Sequence, residues 1–326
     1  MRASSSLPAI RVSIVIPLHR PTPAFRACLA ACLELDHGDF EVLVVSDRPA
    51  DLPGDPRVVP VLTGLAGDSS PAEKRDAALP RATGDAIAYL DDDAEPARDW
   101  LRVAEAAFAD PAVAALGGPG VTPPGGGWRQ RVGGAVYESA LGSGPLRYRF
   151  TPAPARTVDD YPAYNLIVRT EAVRRAGGWA STFYGGEDTR FCEELARIGV
   201  PVHYLPKLVV RHHRRPVFRA HMRQVGNVGR HRGHFVRKHP ETSRRLVYFA
   251  PVAALVAAPA LLAAALARLG PGGRAAALGA LYAGLAAASP AGGRRERLAF
   301  PLALAAHHAA YGGSFVLGLL TREMDR

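Results

Sequence analysis

The chain of 326 residues is poor in cysteine, with only Cys28, Cys32 and Cys192. They form no Cys-x-x-Cys pair, so the sequence lacks the short-spaced motif typical of redox and zinc sites. Cys28 and Cys32 are four positions apart on a predicted helix, where buried thiols pack as small apolar side chains. We assign no function to the cysteines, and their scarcity fits a reducing, cytosolic environment.

Two motifs are also missing near the N-terminus. The first ten residues contain one arginine and no long apolar stretch, so a secretory signal is not expected. No Gly-x-Gly-x-x-Gly turn follows the first predicted strand, which disfavours a dinucleotide-binding fold. Hydrophobic residues nevertheless make up 48% of the chain, which excludes a disordered protein and allows a full α/β domain with further helices.

The net charge of +10 is concentrated in one segment. Residues 207–245 contain twelve lysines and arginines against a single acid, Glu241. Such a segment binds phosphates in general. Few aromatic residues are interleaved for stacking on bases, and apolar stretches follow directly, so we expect a membrane surface as partner and no nucleic acid.

Strand and helix signals alternate from residue 11 to about residue 118. Short apolar runs rich in β-branched residues at 12–17, 40–45, 58–62 and 86–90 predict strands, and amphipathic stretches between them predict helices. This alternation predicts a mostly parallel sheet with right-handed crossovers. Glycine and proline are dense from residue 117 to residue 154, which predicts loops over a site. A strand at 164–169, a helix from Glu187 and a last strand at 209–212 follow.

Three consecutive carboxylates end the apolar run at residues 86–90. Asp91 and Asp93 lie on the same side of an extended chain, and ligands bind beyond the carboxyl ends of strands in such sheets. Mutual repulsion of Asp91, Asp92 and Asp93 is relieved if a hard cation such as Mg²⁺ or Mn²⁺ binds there. A solvated turn, in which aspartate is common, is the alternative.

The C-terminal part contains long apolar stretches. Residues 246–266 lack charge over a length that crosses a bilayer core, residues 298–320 are interrupted only by two histidines, and 275–289 is shorter. We predict two to three membrane helices, with the arginine-rich flanks on the cytoplasmic side. A domain of buried alanine-rich helices is the alternative.

Seven short segments, taken in order, resemble the GT-A glycosyltransferases of family 2. The matching segments are Val12-Ser13-Ile14-Val15-Ile16-Pro17, Glu41-Val42-Leu43-Val44-Val45-Ser46-Asp47, Lys74-Arg75-Asp76, Tyr89-Leu90-Asp91-Asp92-Asp93, Tyr164-Asn165, Gly177-Gly178-Trp179 and Gly186-Glu187-Asp188. The resemblance covers roughly residues 11–215. It implies a nucleotide-sugar-binding GT-A domain at 1–215, a basic amphipathic interfacial segment at 216–245 and apolar membrane helices at 246–326.

The resemblance also implies a reaction. A sugar would be transferred with inversion from a UDP- or GDP-sugar to a hydroxyl of a glycan or lipid-linked acceptor, with Mg²⁺ or Mn²⁺ as cofactor, at the cytoplasmic face of the cell membrane. The implied site comprises the catalytic base Asp188; the donor-binding residues Pro17, Asp47, Arg75, Asp91 and Asp92; the acceptor-binding residues Asn165, Glu187 and Gln224; and the metal ligands Asp91, Asp93 and His212.

Several assignments keep an alternative. Arg75 could be a solvated helix charge, Asp47 a turn residue, and His213 could replace His212 as the ligand. Acids at 187 and 188 also favour a helix N-terminus without any catalysis. Asp76 departs from the family pattern, because an extra acid beside a diphosphate is unexpected.

Two other functions are compatible with parts of the sequence. A sugar nucleotidyltransferase would use a glycine-rich basic loop after the first strand, and the segment after Pro17 is a poor version of it. A non-enzymatic phosphate-binding protein at the membrane surface would need only the basic segment.

Overall fold

The computed structural model of the chain describes residues 10–181, 186–322 and 324. The strands are β1 (Val12–Pro17), β2 (Phe40–Ser46), β3 (Val58–Leu62), β4 (Ala86–Leu90), β5 (Ala94–Pro96), β6 (Ala115–Gly117), β7 (Gly120–Val121), β8 (Arg156–Val158), β9 (Asn165–Arg169), β10 (Val202–Tyr204) and β11 (Val210–His212). The helices are α1 (Pro23–Leu33), α2 (Pro71–Ala78), α3 (Trp100–Phe108), α4 (Trp128–Glu138), α5 (Ala140–Ser143), a 3₁₀ helix (Gly144–Arg149), α6 (Thr170–Arg175), α7 (Glu187–Arg197), α8 (Arg219–Lys238), α9 (Pro240–Ser243), α10 (Leu246–Ala267), α11 (Pro271–Ala287) and α12 (Arg294–Leu320).

Eight strands form the main sheet in the order β3-β2-β1-β4-β9-β6-β10-β8. The four strands predicted between residues 11 and 118, β1 to β4, are all present and pair in parallel, as expected from helical crossovers. The strand β9 enters antiparallel between β4 and β6. The sheet is therefore mixed, with the predicted parallel half intact.

Strands of the main sheet are continuous apolar runs because their residues are buried. Every residue of β4 is buried, and β1 and β2 are buried along almost their whole length. Helix α1 covers the sheet with Phe25, Cys28, Leu29 and Cys32. The cysteines are thus core residues, and a hydrogen bond with Cys32, together with burial, raises the pKa of the Cys28 thiol.

The helices that lead to the candidate site begin at defined caps. Thr22 accepts a hydrogen bond from the amide of Phe25, and Pro23 occupies the first turn of α1. Ser70 and Glu73 form a reciprocal capping box at the start of α2. Such caps fix where each helix leaves its loop, and hence where the residues that follow are placed.

The chain forms two compact units. The first contains Met1–Val121 and Thr151–His212, and the second contains Thr122–Phe150 and His213–Asp325. The division into 1–215, 216–245 and 246–326 stays a prediction. What the sequence did not suggest is that an internal stretch belongs with the C-terminal helices.

That internal stretch corrects one expectation. Residues 117–154 were predicted as loops, but α4, α5 and the 3₁₀ helix occupy most of them. In α4 the glycines serve close packing, because a Cβ at Gly134 would collide with the side chain of Thr122. Val132, Ala135 and Val136 then form one apolar cluster with Phe300, Ala303 and Leu304 of α12. Glycine density here indicates tight helix contacts.

The C-terminal helices differ in their surroundings. By length and composition, α10 alone among the helices of the described residues can cross a bilayer, with a mean hydropathy of 2.2 and an exposed surface. Helix α11 is also exposed but has 17 residues. Helix α12 packs along α8, where Gly229, Gly233 and Gly318 leave no room for a side chain.

Candidate active site

The triple aspartate lies at the carboxyl end of β4, as predicted, and the sheet register decides what it meets. Asp93 immediately precedes β5, whose first residue, Ala94, pairs with His212 of β11 in a second, three-stranded sheet. This pairing brings His212 Nε2 to 3.0 Å from Asp93 Oδ1. The ring of His212 also packs on Tyr164, with ring centroids 4.7 Å apart.

Three predicted metal ligands come together at this point. Asp91, Asp93 and His212 each present one ligand atom, and these atoms lie within 4.8 Å of one another. Carboxylate oxygens suit Mg²⁺ and Mn²⁺, and an imidazole nitrogen is a further donor that a divalent transition metal accepts. The donor set therefore fits a divalent cation such as Mn²⁺, which these residues could hold.

Arg75 connects this cluster to the start of α7. Its side chain is only 3% exposed, so the alternative of a solvated helix charge is wrong. Nη2 donates to Asp91 Oδ1 at 3.0 Å, and Nη1 lies 3.5 Å from Glu187 Oε1. Glu187 and Asp188 form the first turn of α7, directly after Gly186 in the left-handed conformation. One buried guanidinium thus links carboxylates from two elements.

Asp76, the unexpected acid, has a structural partner. Its two carboxylate oxygens accept hydrogen bonds from the backbone amides of Trp179 and Ala180, at 2.7 and 3.0 Å. Burial outweighs these bonds and raises the pKa of Asp76 above its ordinary value. Gly178, at a φ of 76°, approaches the same carboxylate so closely that a side chain would not fit. Asp76 therefore fixes the Gly177-Gly178-Trp179 turn.

Asp47 also accepts more hydrogen bonds than the sequence indicated. It accepts hydrogen bonds from Lys74 Nζ at 2.8 Å, from Thr63 Oγ1 at 2.9 Å, and from both the amide and hydroxyl of Ser69. Burial alone would raise the pKa of Asp47, but these donors prevail and lower it to about 2. The sequence gives no sign of this buried ion pair between Lys74 and Asp47.

The remaining predicted residues are placed as follows. Pro17 ends β1 and is half-buried, and Asp92 lies in the turn between β4 and β5. Asn165 is fully buried: its amide donates to the carbonyls of Gly118 and Leu208, and its oxygen accepts from Trp100. Gln224 lies on α8 in the second unit. Two clefts of about 360 and 130 Å³ also lie in that unit, and neither is lined by a predicted site residue.

Comparison with known proteins agrees with the resemblance seen in the sequence. The model of the family described as Glycosyl transferase family group 2 matches residues 86–287. Pre-mycofactocin glycosyltransferase of Mycobacterium tuberculosis, in strains CDC 1551 and H37Rv, is 30% identical over 247 residues. The alignment covers 72% of this chain and 50% of the relative, so the chain spans about half the length of the curated relatives it matches.

Two solved structures share the fold. A mannosyltransferase from Pyrobaculum calidifontis, in complex with GDP-Man and Mn²⁺, superposes with a TM-score of 0.58 at 23% identity, covering 97% of this chain and 88% of its own. GalNAc-T7 with UDP, GalNAc and Mn²⁺ gives 0.51 at 14% identity, over 74% of this chain and 52% of its own. The predicted α/β fold of the GT-A type is confirmed. Of the two to three predicted membrane helices, the described residues contain one that is long and apolar enough, α10.

Proposed function

This chain belongs to glycosyl transferase family group 2, and from that premise we propose that it is an inverting, metal-dependent glycosyltransferase. Its reaction would move a sugar from a UDP- or GDP-sugar to a hydroxyl of a glycan or lipid-linked acceptor. The observation that carries the proposal is the clustering of Asp91, Asp93 and His212, with Arg75 linking Asp91 to the Glu187-Asp188 turn. The nucleotidyltransferase and non-enzymatic alternatives have no comparable support.

In this proposal Asp91, Asp93 and His212 hold Mn²⁺ or Mg²⁺. The cation, when bound, neutralises charge on the leaving nucleoside diphosphate, which stabilises the transition state. Mn²⁺ is the better fit, because one of the three donors is an imidazole nitrogen and Mg²⁺ prefers an all-oxygen shell. Asp92, in the same turn, would contact the ribose of the donor.

Asp188 is the proposed general base. It lies in the first turn of α7, and an ionised carboxylate can accept the proton of the acceptor hydroxyl. Attack from the side opposite the leaving diphosphate inverts the anomeric carbon. Glu187 would orient the acceptor or the base.

The other predicted site residues receive different roles in this proposal. Pro17, at the end of β1, and Asp47 would lie along the nucleoside, with Asp47 acting through the Thr63–Ser69 loop that it holds. Asn165 has every amide hydrogen engaged inside the protein, so we assign it a structural role. Gln224 is kept as a candidate acceptor contact.

We place the protein at the cell membrane, with the catalytic residues on the cytoplasmic side. Support comes from the exposed apolar surface of α10 and from the arginines that precede it at 244 and 245. The exposed side of α8 carries Arg219, Arg223, Arg230, Arg237 and Lys238, which would contact anionic headgroups. The buried side of α8 packs on α12 and is not available to lipid.

The test is a screen of UDP- and GDP-sugars with Mn²⁺, Mg²⁺ or excess chelator, reading released nucleoside diphosphate. We expect release with at least one donor, faster with Mn²⁺ than with Mg²⁺, and none in chelator. The anomeric configuration of the product, read by NMR, tests inversion. Undiminished turnover in chelator would refute the metal role, and a retained configuration would refute the displacement.

The metal assignment has its own prediction. Asp93→Ala should weaken Mn²⁺ binding, measured by titration calorimetry, and lower turnover at least about 100-fold, because the variant loses a charged ligand. Asp99→Ala is the matched control, since Asp99 is an exposed acid at the start of α3 whose side chain makes no cap hydrogen bond. Equal Mn²⁺ affinity in both variants would contradict the assignment.

A further inference from the structure

Contacts within the protein fix the position of the Arg75 side chain. Its guanidinium stacks on the ring of Trp179, with the central carbon 4.4 Å from the ring centroid. Stacking fixes the plane of the fork, and burial of the side chain removes competing water. The two outer nitrogens are then directed along fixed lines, one toward Asp91 and one toward Glu187.

The support beneath Arg75 also reaches α7. Trp179 stacks on Phe191 of α7 at 4.4 Å and meets the ring of Tyr89 of β4 edge-on at 4.9 Å. Asp76, the neighbour of Arg75 on α2, binds the backbone of Trp179. One small frame therefore joins the end of β4, the helix α2 and the first turns of α7.

The contact between Arg75 and Glu187 is incomplete. Nη1 is buried, lies 3.5 Å from Glu187 Oε1, and forms no hydrogen bond within the part of the chain that the structure describes. A buried donor that remains unpaired costs free energy. Catalytic hydrogen bonds that are long in the free enzyme commonly shorten in the loaded complex. A shorter distance between Arg75 Nη1 and Glu187 Oε1 would therefore satisfy this buried donor.

We propose that Arg75 is a positioning residue that sets the first turn of α7, and with it Asp188, against the carboxylate end of β4. The inference rests on the proposed function and deepens it, because it assigns Arg75 to the alignment of the base and not to the binding of donor phosphate. Asp91 can contact Arg75 through one oxygen and a cation through the other. The same guanidinium would thus couple the donor side of the site to the acceptor side.

A positioning role and a phosphate-binding role for Arg75 predict changes in different kinetic constants. A residue that aligns the base affects kcat, because a displacement of about 1 Å can cost about 100-fold in rate. A residue that grips the donor affects the KM of the donor and the affinity for nucleoside diphosphate. Removal of a cation next to Asp91 should leave Mn²⁺ binding equal or stronger.

The experiment is a double-mutant cycle of Arg75→Gln and Glu187→Gln on the full chain. Each single variant should lower kcat by about 100-fold, with the donor KM changed less than about threefold. The double variant should be no slower than the worse single variant by more than about threefold, because both remove one contact. Calorimetry with Mn²⁺ alone and with nucleoside diphosphate should give unweakened binding in Arg75→Gln.

Controls separate this inference from the others. Arg102→Gln removes an exposed arginine from a surface ion pair with Asp36 and should retain wild-type rates. Should Arg75→Gln fail to fold, Arg75→Lys replaces it in the same cycle, with a loss of about tenfold expected because lysine lacks the fork. Additive losses, or a donor KM raised about 30-fold or more, would overturn the positioning role. A wild-type chain that releases no nucleoside diphosphate would instead refute the proposed function.

Discussion

Asp188 shares its helix turn with Glu187, and the two acids receive different roles from the same position. Asp188→Asn should lower transfer by about 100-fold to 10,000-fold, because the amide cannot accept the acceptor proton. Donor and Mn²⁺ binding should persist, and the variant should unfold at the wild-type temperature. Asp99→Asn is the matched control for loss of one carboxylate. A fully active Asp188→Asn would remove the base assignment.

Asp47 gives a prediction for acid stability. Its folded-state pKa of about 2 lies below the ordinary value of 3.8. The ionised form is therefore favoured by folding, and this stabilisation is present above about pH 3.8 and disappears as the pH falls toward 2. Asp47→Asn should lower the unfolding temperature at pH 7 and pH 5 alike, with the difference from wild type shrinking below pH 4. An unchanged difference at pH 3 would contradict the ion pair with Lys74.

Single residues were the scale at which sequence reasoning was least complete. The acids at 91 and 93 could be predicted because an apolar strand ends at them. The roles of Asp76 and Lys74 could not, because their partners are distant in the chain. Asp76 accepts from the backbone amide of Trp179, and Lys74 forms a buried ion pair with Asp47. Arg75 was predicted to bind the donor, and its contact with Glu187 could not be predicted for the same reason.

At the scale of elements, the backbones of α8 and α12 approach each other closely. A Cβ at Gly318 would collide with the carbonyl of Arg230, and one at Gly233 with the carbonyl of Phe315. Helix backbones that approach so closely gain packing that larger residues would prevent. One side of α8 therefore packs on α12, and the interfacial role predicted for its basic side stays a prediction.

A glycine pair in α12 tests this contact. Gly318→Ala should destabilise the protein by about 1 to 3 kcal/mol, because the added methyl group forces the helices apart. Gly313→Ala is the control, since nothing lies within 4 Å of its Cβ, and it should stabilise the helix by up to about 1 kcal/mol. Thermal unfolding in the same detergent or lipid measures both. Equal shifts would mean that α8 and α12 are not in contact.

Helices and strands were predicted correctly where the apolar residues recur with a clear helical or strand pattern. They were predicted poorly where glycine is compatible with either a loop or a closely packed helix. Strands β1 to β4 and helix α7 follow from apolar runs and caps. The glycines around α4 predict a loop because glycine destabilises an isolated helix. In the structure the same glycines allow close contacts, a property that depends on neighbours from other parts of the chain.

At the scale of the whole molecule, membrane attachment is expected to depend on α10. Val256 and Leu261 are 71% and 70% exposed. Replacing both with aspartate should release the protein from vesicles that contain anionic lipid, because each charge costs about 3 kcal/mol at the centre of a bilayer. Sedimentation with the vesicles measures this, and Leu141→Asp, on the exposed side of α5, is the control.

The ionic-strength arm of that experiment separates two forms of attachment. Release of the wild-type chain by high salt alone would indicate that the basic helix α8 binds headgroups without insertion. Retention of the double-aspartate variant at high salt would show that α10 is not the anchor. Either result leaves the assignment of the catalytic residues unaffected.

The partnership of α4 with α12 has a consequence for biosynthesis. Arg131 on α4 binds Glu296 on α12, which follows it in the chain by 165 positions. Ribosomes add about 5 to 20 residues per second, so the apolar side of α4 waits on the order of ten seconds for its partner. During that interval Val132, Ala135 and Val136 are available to chaperones or to lipid. The apolar side of α4 is thus a site at which the nascent chain can aggregate until α12 emerges.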